Sequence, residues 1–350
     1  MSVSELTSAK EFGDAIELVY ELGWTDGLPC VPPTGKRVDA MLAAGGRPAD
    51  ELIGEIPPKG GRATVEKIAI NAVLAGCRPE YFPIVLAAVE ASLDDRFNLR
   101  GVQGSTHICT PLIIVNGPVA ERLDVNSAAG CFGQGWRANA TIGRALKLVL
   151  TNLGQSVPGD TDKATFGHPG KYTYCVAENE AASPWEPLHV ERGFDPGEST
   201  VTIFPAEAPH NVNNPSSADA RELLLTMAHS MNYLGSVHFR VMGEVLVVFG
   251  PEHANIIGQA GWKKSDVRQF LFEHARRSMR EIHVGGHHRE STREKLWPRW
   301  LDPEDLEQMV PIVRRPQDIT VMVAGGAGRH SLYLPGWGSR SATRRIRDVA

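Results

Sequence analysis

An α/β fold of two similar lobes is what this sequence predicts, on three observations. Short β-branched runs alternate with amphipathic helices, the order that builds sheets covered by helices. Two of those runs, PLIIVNGP (111–118) and EVLVVFGP (244–251), end alike. Each leads through a Gly-Trp-basic step into a helix, GWRANATIGRALKLVL (135–150) and GWKKSDVRQFLFEHA (261–275), as an internal duplication would leave them. At 350 residues, moreover, the chain exceeds what one hydrophobic core usually supports. The expected organisation is a first α/β lobe with N-terminal helices over 1–153, a long Pro/Gly-rich connecting segment over 154–198 that lines the site, and a second α/β lobe over 199–350.

Taken in order, residues 8–23 place Phe12, Ile16, Val19 and Tyr20 on one face and end in glycine, which predicts an amphipathic helix. WTDGLPCVPPTGKRV interrupts regular structure, and the next helix is expected near Thr34 or Lys36. GGRATVEKIAINAVLAG predicts a glycine turn into a helix with Val65, Ile68, Ala69, Ala72, Val73 and Leu74 on its apolar face. In PEYFPIVLAAVEASL, Pro79 suits a first turn, whereas Pro83, one turn in, predicts a kink. STVTIF (199–204) and DITVMV (318–323) are further strands. Residues 154–198 show no strong periodicity, and a connection of that length is commonly functional.

Composition narrows the partners. A formal net charge of -5 supplies no field for a phosphate backbone, so nucleic acid is not expected. No run of eighteen apolar residues occurs and MSVSELTSAKEF lacks the regions of a secretory signal, which predicts a cytoplasmic protein without membrane contact. Arg340, Arg344, Arg345 and Arg347 make a basic patch that reads as a solvated or packing end. Cys30, Cys77, Cys109, Cys131 and Cys175 are widely spaced with no C-x-x-C, so they are expected to remain thiols.

Three stretches carry candidate chemistry. In GCFGQGWRANATIG (130–143), glycines allow close approach of a ligand, Asn139 or Thr141 can cap the following helix, and its free N–H groups attract a carboxylate or phosphate. Cys131, beside that helix end and Arg137, becomes a candidate nucleophile. The competing reading is a chain turn with Trp136 plugging the core. Second, His168, Lys171, Glu178, Glu180, Glu186, His189 and Arg192 form the densest set of acids, bases and cations, against which stands a surface loop of ordinary charges. Third, GGAGRHS follows a strand and offers Arg329, His330 and Ser331 at a carboxyl end, without matching a dinucleotide or P-loop motif. Asp26, Arg62, Thr64, Glu66 and Lys67 are further candidates, with Arg62 as a carboxylate clamp, and Asn116 and His107 flank the first lobe's strand. His283, His287 and His288 lie close together, but glycines break the helical spacing and H-E-x-x-H is absent, so no metal ligand is assigned and no cofactor is required.

Together WTDGLPCVPPT, GGRATVEKIAINAVLAGCRPEY, GWRANATIGRAL, HPGKYTYCVAENE, SPWEPLHVERGF and GGAGRHS resemble a broad, largely uncharacterised bacterial family with a W-x-D-G-L-P-x-V-P-P-T opening. Its members are often encoded beside small thiol or selenol proteins with a Gly-Ser-Cys motif (UGSC-type). The likeness covers nearly the whole chain. It implies a metabolic enzyme or enzyme subunit working with a thiol partner, and many relatives have no cysteine at the position of Cys131, which weighs against that nucleophile.

The expected function is a small-molecule enzyme, a hydratase, lyase or hydrolase, acting on a small carboxylate or carbonyl compound by acid–base chemistry in an inter-lobe crevice. Arg137 and Asn139 would hold the anion, with Arg62, Asn116, Gln134, Thr141, Arg192, Arg329, His330 and Ser331 around it. His168 or His189 would move the proton, oriented by Glu178 or Glu186, and Lys171 and Cys131 complete the catalytic set. The alternatives are a thiol-dependent redox or substrate-carrying subunit of a two-component enzyme and a non-catalytic ligand sensor. A homo-oligomer is expected. All of this requires the distant groups to meet in one pocket.

Overall fold

The four β-branched runs are all strands of two four-stranded sheets, three of them central and one, residues 319–323, at an edge. The computed structural model describes residues 12–286 and 297–347. Its strands are β1 (Leu52–Ile56), β2 (Gly61–Thr64), β3 (Thr110–Asn116), β4 (Cys175–Ala177), β5 (Thr200–Ala206), β6 (His210–Asn213), β7 (Val245–Phe249), β8 (Arg276–Ser278), β9 (Met309–Pro311), β10 (Ile319–Val323), β11 (His330–Leu334) and β12 (Ala342–Arg345). The first sheet has the order β12-β5-β3-β4 and the second β6-β11-β7-β10. In each, a central strand pairs in parallel on one side (β3 with β4, β7 with β10) and antiparallel on the other (β3 with β5, β7 with β11).

The outermost strands are exchanged. β6 follows β5 in the chain yet pairs with β11, and β12 follows β11 yet pairs with β5. This corrects the boundary expected at residue 199, because β5 and β12 both belong to the first sheet. The basic C-terminal segment is a packed edge: Arg344 pairs with Asp94 and Arg340 with Asp318.

Side chains alternate between the faces of a strand, so a sheet buried on both sides reads as a continuous apolar run. That is the case here. Leu112, Ile114, Val176 and Phe204 of the first sheet meet Leu246, Val248, Met322 and Leu334 of the second in a core between the sheets. The alternate residues Ile113, Val115, Val201 and Ile203 face helices 65–75, 82–92 and 137–152. Val245, Val247, Ile319 and Val321 face helices 220–231 and 264–274. The architecture is therefore helix, sheet, sheet, helix.

Local details follow from sequence chemistry. Thr64 caps helix 65–75 by accepting from the Lys67 N–H at 3.3 Å. Pro83 starts a helix rather than kinking one, because a 3-10 turn over Pro79–Tyr81 precedes Phe82–Ser92. Asp26 of WTDGLPC is a docking residue: its two oxygens take Arg144 Nε and a terminal nitrogen, each at 2.8 Å, and so fix the N-terminal segment onto helix 137–152. Gly143 lets that helix approach residues 173–174, since a Cβ there would lie 2.5 Å from Thr173 Oγ1 and from the Tyr174 nitrogen.

Candidate functional site

The expected residues do not share one pocket. Two polar clusters occupy opposite ends of β3, which at seven residues separates them by about 20 Å.

At the Asn116 end, Glu178 Oε2 accepts from Asn116 Nδ2 at 2.6 Å and from the Leu188 N–H at 2.7 Å. Its other oxygen lies 3.9 Å from Lys264 Nζ, a residue of helix 264–274 in the second lobe. His189 faces Glu180, with Nδ1 3.6 Å from Oε1, so the acid beside this histidine is Glu180 and not Glu178 or Glu186. Glu186 is exposed. Lys264 also approaches Glu191, which pairs with Arg268. The Asn179 N–H donates to the Val323 carbonyl at 2.7 Å, and Trp185 Nε1 to Trp262. These contacts join the lobes. Asn116 and His189 are 0% exposed, Glu178 3% and Lys264 6%. Burial pushes the Glu178 carboxyl up despite Lys264.

At the Thr110 end the residues are only half-buried. Thr110 is paired with Ala206, so Glu207 emerges there, next to the Pro335 carbonyl that its N–H meets at 2.9 Å. His107 Nε2 lies 2.7 Å from Glu207 Oε1. His107 Nδ1 accepts from the Cys109 N–H, so in the neutral ring Nε2 carries the hydrogen and donates to the carboxylate. Lys171 Nζ is held by Asp162 at 2.6 and 2.7 Å.

His168 lies among these groups, edge-on to Tyr174, whose hydroxyl donates to the Glu207 carbonyl. Its Nδ1 accepts from the Gly170 N–H at 3.1 Å, which places the hydrogen of the neutral ring on Nε2. Nε2 is buried, with the Ala206 carbonyl nearby but outside ordinary hydrogen-bond geometry. Burial first, then the Lys171 charge, push His168 down to about 4; the Ala206 carbonyl and Glu207 oppose this only partly. At neutral pH the ring is uncharged, and its Nε2–H lies buried on the side of the Ala206 carbonyl.

Lys147 adds a group that the sequence reading missed. It belongs to helix 137–152, is 9% exposed and has no hydrogen-bond or ion-pair partner among the described residues. Burial, then Lys171, push its ammonium down to about 8, against Asp162, Cys109 and Asp26. The signal is the one cation among the buried positions of an amphipathic helix whose other two, Arg137 and Arg144, lie outside them.

The remaining candidates have other partners. Asn139 does not cap its helix; it turns inward, donates to the carbonyls of Asn126, Cys131 and Cys175, and accepts from the Asn126 N–H. Thr141 bonds back to the Arg137 carbonyl. Arg137 donates twice to the Gly76 carbonyl and lines a separate cavity of about 410 Å³ with Lys36 and Arg37. Cys131 is buried, and desolvation pushes its thiol up to about 11, the opposite of an activated nucleophile. Arg192 holds Thr343 and Ser341, and Arg329 the carbonyls of Pro215 and Ser217. Ser331 bonds His253 and the Gly250 N–H. Arg62, Gln134 and His330 are exposed, and none belongs to either cluster.

All five cysteines are free and buried. Among the described residues no group of three metal-type side chains comes together, and His287 and His288 lie outside them. No described helix is long and apolar enough to cross a membrane. No protein-family model matches the chain, and no curated protein matches it either.

Proposed function

We propose that the protein is an enzyme that acts on a small carbonyl compound by acid–base chemistry, at the Thr110 end of β3. The observation that carries this reading is His168: a neutral imidazole with Nδ1 committed to a backbone N–H and a buried Nε2–H that makes no full hydrogen bond, with the Ala206 carbonyl nearby. A neutral N–H donor of this kind polarises a carbonyl oxygen, and stabilising the charge that develops there is a large catalytic term. Lys171, held by Asp162, supplies positive charge for a developing oxyanion or a substrate carboxylate. The His107–Glu207 pair offers a second proton-transfer group on the same side.

The test uses small ketones and keto acids in D2O, with exchange of their α-hydrogens followed by NMR. The enzyme should accelerate exchange for at least one of them. His168→Asn, which removes the donor at the Nε2 position, should lower that rate about 100-fold, and His168→Gln, which restores an N–H near it, should recover part of the loss. Exchange at the wild-type rate in His168→Asn would end the proposal.

A further inference from the structure

Lys147 has no structural task that explains it. The residue is 9% exposed, its amine has no hydrogen bond or ion pair among the described residues, and it sits on a helix flank where neighbouring positions are Leu146 and Leu148. A leucine or methionine would satisfy the packing without the cost of burying a charge. Buried, perturbed groups of this kind concentrate at functional sites. Its surroundings are specific: the close approach of helix 137–152 to residues 173–174 at Gly143 brings the next turn, with Lys147, toward the segment that carries His168 and Lys171. The charges that act on it are Lys171, Asp162 and Asp26, together with the Cys109 thiol at the start of β3, and Lys147 in turn influences His168.

We propose that Lys147 is a covalent nucleophile that condenses with a small aldehyde or ketone to form an imine. The amine lone pair forms the C–N bond while the carbonyl π electrons move to oxygen. Both amine hydrogens end on that oxygen, it leaves as one water, and the C=N bond remains. No oxidant or reductant takes part. His168 Nε2–H stabilises the oxygen as charge develops on it. A desolvated amine beside a second cation retains a neutral fraction near pH 7, which makes it both nucleophile and acceptor of the returning proton. This deepens the reading of the His168 cluster and rests on it for the substrate class.

The experiment incubates the folded full chain at pH 7.5 with acetaldehyde, pyruvate, acetoacetate or glyoxylate and sodium cyanoborohydride, which reduces an imine to a stable secondary amine. Peptide mass mapping then compares lysines. At least one probe should modify Lys147 about tenfold faster than the exposed Lys36, and His168→Asn should slow that modification severalfold. Modification of Lys147 no faster than Lys36 with all four probes overturns the proposal. A second measurement guards against mere exclusion of the probes: acetic anhydride labelling against pH should give Lys147 a midpoint near 8, and a midpoint near that of Lys36 also overturns it. The two readings fail separately. Unmodified Lys147 with slowed α-exchange in His168→Asn removes the imine alone; modified Lys147 with unchanged exchange in that variant removes the acid–base reading alone.

Discussion

The two ends of β3 hold the same kinds of side chain and differ in what surrounds them. At one end Glu178 and Lys264 bridge the lobes beside His189, at 0 to 6% exposure. At the other, His107 and Glu207 each keep 17% of their side-chain surface, and Lys171 the same. A carboxylate that already accepts from Asn116 and a backbone N–H is committed to the fold. An imidazole with one nitrogen capped and the other without a full hydrogen bond is not. Residue type nominates a site, and exposure separates the two ends, since His189 also leaves both ring nitrogens without a hydrogen bond but is fully buried.

The largest effect expected is at the closed end. Glu178→Ala leaves Lys264 with only Glu191, strands the Leu188 N–H and leaves the Asn116 amide with Glu180 alone, so it should cost about 3–5 kcal/mol, read by urea unfolding. A loss under 1 kcal/mol would mean that this end does not hold the lobes together. Next, Lys147→Met should stabilise the protein by about 1–3 kcal/mol at pH 7, because it removes a buried amine with no partner. That gain should shrink with rising pH. In the folded wild type Lys147 titrates near 8, below the usual 10.4 of the unfolded chain, so between those values the unfolded state binds more protons and wild-type stability climbs. A gain that does not vary between pH 7 and pH 10 contradicts the assigned burial.

A smaller effect is expected in acid. His168 and His238 titrate near 4 and 3 when folded, against about 6.5 when unfolded. Below 6.5 the unfolded chain therefore takes up protons first, and the urea midpoint should fall between pH 7 and pH 5. His168→Gln should flatten part of that slope. The smallest effect is at Cys131: iodoacetamide at pH 7.5 should leave its thiol unmodified in the folded protein, because burial pushes it up to about 11. Rapid alkylation there would reopen the thiol-dependent reading.

What could be read from sequence divides along physical lines. β3, β5, β7 and β10 are buried on both faces, so apolar residues and the buried Thr200, Thr202 and Thr320 form runs that no solvent-facing position interrupts. β4, β6 and β12 are three or four residues long, and HNVN and ATRR look like loop or tail because their partners lie far away in the chain. The clustering of His168, Lys171, Glu178 and His189 in one segment was visible, but not that the segment runs from one end of the sheet to the other. Arg137 and Asn139 looked like ligand-holding groups because polar residues at a helix start satisfy backbone carbonyls as readily as they bind anions. Lys147 escapes notice because its helix also carries Arg137 and Arg144, and sequence alone does not show which of the three cations is turned inward.

The exchanged edge strands interlock the two halves. A first half released alone would lack β12 and expose the free edge of β5, while its own β6 would have nothing to pair with. During synthesis β5 must wait for a partner made long after it, and closing contacts of such large sequence separation is slow. A single backbone nick near residue 235 should accordingly leave the two pieces clasped together, and their separation should require denaturant rather than dilution.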